Sequence, residues 1–155
     1  MPSGRERRLA RLEAAAPAAG EEVARHHRRM LRFQVRAAAL IRAAAAAAGV
    51  DPAAIPALHI GDSAADQLAA LGDTPELARA DAAANEAAMR TRRPSEPQES
   101  GAAALLRGRL DRLRAEYAAN GGTPQPGASF MAWFVWASLH APRNGAGVSE
   151  TAVLD

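Results

Sequence analysis

Residues 21–48 read EEVARHHRRMLRFQVRAAALIRAAAAAA, with no proline or glycine inside the run. At 3.6 residues per turn, Arg25, Arg28, Arg29, Arg32 and Arg36 fall within about 100° of arc. The opposite side carries Val23, Met30, Leu31, Ala38, Ile41, Ala45 and Ala48. This periodicity predicts one helix about 42 Å long that holds a packing surface and a strip of fixed positive charge together. Glu21 and Glu22 suit the positive end of its dipole, and Gly49 supplies a stop. The expected fold is therefore all-α: a long amphipathic helix (about 21–48) packed with several shorter ones as a helical hairpin or bundle, and oligomeric.

Read as heptads, the run places His27, Gln34, Ile41 and Ala48 at one core position and Val23, Met30, Ala37 and Ala44 at the other. Such a seam suits a coiled coil. His27 and Gln34 either fix its register or lie at its wet edge. On the N-terminal side, Ser3-Gly4-Arg5-Glu6 forms a capping box for a short helix with Leu9, Leu12 and Ala16 on one side, and Pro17 is expected to stop it.

On the C-terminal side, Asp51-Pro52 is a helix-start signal, but Pro56 follows, which predicts a short turn and then an extended connector over Ala57 to Ile60. Ser63 to Leu71 and Pro75 to about Arg90 read as two helices separated by Gly72. Residues 91–101 (TRRPSEPQESG) have linker composition. Ala102, Leu106, Leu110, Leu113 and Tyr117 mark an amphipathic helix closed by Asn120-Gly121-Gly122. Small residues at Ala104, Gly108, Ala115 and Ala119 suit close backbone approach along it. Ala128 to His140 is the last helix. The resulting division is a basic helix plus acidic helical segment over 1–90, a linker over 91–101, a helical pair over 102–142, and a disordered tail over 143–155.

Alanine supplies 42 of the 155 residues, whereas Leu, Ile, Val and Phe together supply 26. Methyl groups bury little area each, so self-association or a partner is expected to complete the stability. All 19 basic residues are Arg, which lifts the pI to about 10.3 at a net charge of only +2. A GC-rich genome accounts for this usage as readily as selection for guanidinium chemistry. Charge is segregated: +6 over residues 1–49, −6 over 50–89 and +2 over 90–155. The absence of cysteine removes disulfides and thiolate metal sites and fits a cytoplasmic protein. No apolar run approaches the roughly 20 residues of a spanning helix, so no transmembrane segment is expected.

Two clusters are candidate sites. Arg25, Arg28, Arg29, Arg32 and Arg36 present guanidinium forks in a row, as contact with DNA or RNA phosphates requires. The same row can instead meet the acidic segment (Asp62, Asp66, Asp73, Glu76, Asp81, Glu86) within the protein, or a foreign acidic protein. Base-reading motifs are absent, so any nucleic-acid contact would be sequence-tolerant. Phe130, Trp133, Phe134 and Trp136 sit on a helix that is apolar all round, which suits a core plug, a docking anchor for a protein partner through 128–140, or an interfacial membrane anchor.

Residues 57–66 (ALHIGDSAAD) resemble the acidic metal-binding motif of the haloacid dehalogenase superfamily. The resemblance implies a strand ending in Gly-Asp-Ser, with Asp62 and Asp66 as Mg²⁺ ligands. That family's upstream Asp-x-Asp nucleophile is missing, as is any lysine to steady a phosphoryl group. A Ser63 cap with Asp66 at the third helical position is the simpler reading. The same Gly-Asp-Ser lacks the later Asp-x-x-His of a GDSL-type esterase, and the four histidines share no zinc-ligand spacing. No metal, cofactor or catalytic residue is therefore expected. The chain reads as a non-enzymatic accessory or assembly protein that self-associates, binds polyanion through the Arg strip and docks a partner through the aromatic helix. The alternative is an adaptor or regulator without nucleic-acid binding, its Arg strip neutralised within its own oligomer.

Overall fold

The computed structural model describes residues 4–91 and 101–141, the side chains of 101–106 excepted. The Ser3 cap, nearly all of the 91–101 linker, the side chains of Ala102, Ala104 and Leu106, and the 143–155 tail lie outside the described residues. The described chain is all-α: α1 (Gly4–Ala47), α2 (His59–Ala70), α3 (Pro75–Thr91), α4 (Gly101–Ala119) and α5 (Phe130–His140).

α1 is longer than the sequence predicts. Its 44 residues run through Pro17 without a break and span about 66 Å. Proline removes one backbone hydrogen bond and crowds the carbonyl four residues earlier. Here every residue from 4 to 23 is exposed, so water can satisfy the freed carbonyl of Glu13. At the other end the Val50 N–H donates to Ala45 O at 2.8 Å, and Gly49 takes φ 73°, a left-handed conformation that ends the helix.

Two 3₁₀ turns, Pro52–Ala54 and Pro56–Leu58, lead straight into α2. The expected extended connector is absent, because each proline seeds a turn at its fixed φ rather than a strand. α2 begins four residues before Ser63, which therefore lies inside the helix and accepts from Gln67 Nε2 at 3.2 Å instead of capping. α3 opens with Thr74 Oγ1 accepting from the Leu77 N–H, and α5 with Ser129 Oγ accepting from the Ala132 N–H. α4 ends as expected: the Gly122 N–H donates to Tyr117 O at 2.7 Å while Gly121 and Gly122 both take positive φ.

The C-terminal half of α1 is wrapped on two sides. Ile41, Ala37, Ala38, Ala44 and Ala45 form one core with Ile55, Leu58, Tyr117, Phe130, Trp133 and Trp136. Leu31, Ala64 and Leu68 form a second cluster where α2 crosses the helix. Gly61 makes that crossing close: a Cβ there would stand 2.2 Å from Ala38 Cβ. The main core draws on residues from both sides of the 91–101 segment, so that segment does not separate two cores. Val23, Met30 and Ala48, expected on the buried side, are exposed.

Candidate interaction surfaces of the long helix

The Arg strip faces α3. Arg28 donates from Nε and Nη2 to the two carboxylate oxygens of Asp81, both at 2.7 Å, and from Nη2 to Glu21 at 3.0 Å. Arg32 reaches Asp73 Oδ1 at 2.5 Å and Asp81 Oδ2 at 2.9 Å. Asp81 is the one buried charged residue among those described, at 7% exposure. Two guanidinium forks thus converge on one carboxylate, the geometry in which a buried charge is tolerated.

The electrostatics follow. The hydrogen bonds from Arg28, then those from Arg32, hold the Asp81 carboxyl below its ordinary value against the opposing effect of burial. Arg28 and Arg32 are raised for the same reason, chiefly by Asp81 and Asp73 respectively. Of the five strip residues, Arg29 is exposed and donates to Asn85 Oδ1 at 3.2 Å, Arg25 is half-buried and Arg36 is exposed. Arg25, Arg29 and Arg36 line a groove of about 440 Å³ between α1 and α3, together with Glu22, His26 and Arg79. Neutralisation of the strip was open from sequence. The structure places it within the protomer for Arg28 and Arg32, with Asp73 and Asp81 rather than Asp62, Asp66 or Glu86 as acceptors.

The aromatic helix sits elsewhere. Phe130, Trp133 and Trp136 are buried, and Phe134 is half-buried against Phe33 at a ring-centroid distance of 5.1 Å. Trp136 Nε1 donates to Gly122 O at 2.8 Å, and the Tyr117 hydroxyl donates to Ala132 O at 2.6 Å. Burial raises the Tyr117 pKa. These rings plug the core. A partner reaching them would first have to lift α5 from α1, because Phe130, Trp133 and Trp136 are already buried in one core with Ile41 and its neighbours.

The Gly-Asp-Ser segment forms no strand. Gly61 is pressed onto Ala38, Asp62 points outward to Arg42 Nη2 at 2.5 Å, and Asp66 is exposed on the next turn. Among the described residues, no three His, Asp or Glu side chains are arranged to hold a metal ion, and no helix is long and apolar enough to cross a membrane.

One surface was missed from sequence. The exposed large apolar side chains Leu9, Leu12, Val23 and Met30 share one side of α1. Counting heptads through Pro17 instead of stopping there would have found it. No protein-family model matches the chain, and comparison with curated proteins and with solved structures finds no match.

Proposed function

We propose that the protein is a non-enzymatic helical adaptor or assembly subunit whose working surface is the exposed apolar side of α1 from Leu9 to Met30, offered to a helical partner. The observation that carries this reading is the exposed row Leu9, Leu12, Val23 and Met30 on an arm whose first 20 described residues are all exposed. A lone helix in water with proline in its middle is marginal, because propagation barely offsets nucleation without an apolar face to bury. A partner on that face supplies the missing burial. Ion pairing of Arg28 and Arg32 within the protomer favours this adaptor reading over polyanion binding by the whole strip.

Hydrogen exchange over residues 8–20 tests it. In dilute isolated protein these amides are expected to exchange nearly as fast as unfolded chain, while those of residues 37–45 are strongly protected. Full protection of the arm in a monomer would remove the physical reason for a partner.

A second reading keeps a polyanion role for Arg25, Arg29 and Arg36, favoured by their common position along the groove with His26. It predicts a mobility shift of random-sequence DNA or RNA at low salt that Arg25→Ala, Arg29→Ala and Arg36→Ala together abolish. No shift at low salt rejects it.

A further inference from the structure

Leu9, Ala16, Val23 and Met30 recur every seven residues along α1, and Leu12, Ala19, His26 and Phe33 repeat the interval three residues later. The series continues into the core through Ala37, Leu40 and Ala44. From Phe33 onward it is covered, with Phe134 of α5 lying edge-on to Phe33. Before Phe33 it is open: Leu12 is 64% exposed and Val23 70%. α3 is joined to α1 through Arg28 and Arg32, which point away from the middle of this seam, and only His26, at the seam's edge, also borders the groove against α3. One heptad series thus begins bare and ends beneath α5, which serves as its second helix only for the last part.

We propose that the bare part is covered by a second copy of this chain, as a parallel two-stranded coiled coil over about residues 5–30. This rests on the reading of the arm as the working surface and names its occupant. The flanking charges argue for the copy and for its direction. In a parallel pair each residue just before the first seam position faces the partner residue five places later. Here that sets Arg8 against Glu13, Ala15 against Gly20 and Glu22 against His27, with no like charges opposed. An antiparallel pair fares worse. Each antiparallel register that buries both Leu9 and Leu12 opposes like charges: Glu6 with Glu13, Glu13 with its own copy, or Arg8 with Arg29. The one that would set Leu9 against Phe33 is blocked by α5. Pro17 falls on the outer side of the seam, where its ring meets no partner.

Light scattering on the full chain tests the pairing, with a mass rising with concentration from 16.2 kDa to twice that value expected. At low salt, Arg8→Glu and Glu13→Arg are each expected to weaken dimerisation about fivefold, and the two together to restore it. The chain has no cysteine, so Ala19→Cys gives a single thiol that a parallel seam sets beside its own copy. Oxidation is expected to yield a covalent dimer. A monomer up to about 1 mM overturns the proposal. So does a dimer that Ala19→Cys does not crosslink, or one that the charge exchange leaves weakened. All these positions lie on the exposed arm, so the body's melting transition serves as the folding control. A monomer whose arm amides exchange freely defeats self-pairing alone and leaves a foreign helix as occupant; a monomer with a protected arm defeats the adaptor reading as well.

Discussion

Asp81 carries the junction between α1 and α3, because both of its carboxylate oxygens are taken by guanidinium groups that would otherwise stand close together with like charge. Asp81→Asn keeps the shape and removes the countercharge. The expected loss is about 2–3 kcal/mol, less than for a fully enclosed pair because Arg28 and Arg32 keep 12% and 15% side-chain exposure. Urea unfolding followed by circular dichroism measures it. The pH dependence has a definite sign. A carboxyl whose folded pKa lies below its ordinary value of about 3.8 contributes stability above that pH and loses it as pH falls through the folded value. Acid is therefore expected to destabilise the native chain below about pH 4, and the Asp81→Asn chain less steeply. Gly61 makes the complementary case by having no side chain. In Gly61→Ala the new methyl would meet Ala38 Cβ at 2.2 Å and Gln34 O at 3.3 Å, neither able to swing aside. The helix propensity gained, about 1 kcal/mol, is outweighed by the forced separation of α1 and α2. A net loss of about 2 kcal/mol in thermal or urea unfolding is expected.

α1 consists of two physically different halves. From Leu31 onward it is held by neighbours, and up to Val23 it is bare. The arm and the body should then respond separately to substitution. Pro17→Ala restores a backbone donor and is expected to raise far-UV helicity and slow exchange in residues 8–20. The midpoint of the body's unfolding should stay within about 1 °C, since no core residue touches this turn. A shift of the main transition would show that the arm belongs to the cooperative unit. Pro17 was also the point where sequence reading went astray. A proline weighs against helix in any local window, yet an exposed helix can tolerate it wherever water reaches the freed carbonyl. α2 escaped in the opposite way: its start at His59 is set by packing of Ile55, Leu58 and Gly61 against α1, and no capping residue precedes it.

Beyond single helices, the protein closes around two tryptophans because so little else in it is large. Trp133 and Trp136 meet edge to face at 5.5 Å and fill the space that alanines on α1 leave open. Their polar atoms differ. The Trp136 indole N–H donates to Gly122 O, whereas the buried Trp133 N–H has no acceptor among the described residues. Replacement by phenylalanine removes similar area at each site, but Trp136→Phe also leaves a carbonyl without its donor. Trp136→Phe is expected to cost about 1 kcal/mol more than Trp133→Phe, measured by urea unfolding of the two variants side by side. Equal losses would mean that the bond to Gly122 adds nothing net.

The helical class of the chain, the end of α1 at Gly49, the closing turn at Gly121-Gly122 and the apolar character of residues 128–140 were all legible in the sequence. Each follows from near-neighbour periodicity or from a backbone conformation that glycine adopts readily. The sequence also displayed the Arg strip and an acidic segment long enough to neutralise it. Which acids meet which arginines was decided only when α3 was laid along α1, because a carboxylate 41 or 53 positions away is as distant along the chain as any other. The same holds for the aromatic helix, whose composition suits a plug and an anchor equally well. Burial depends on what stands opposite, and that is a property of the assembled fold.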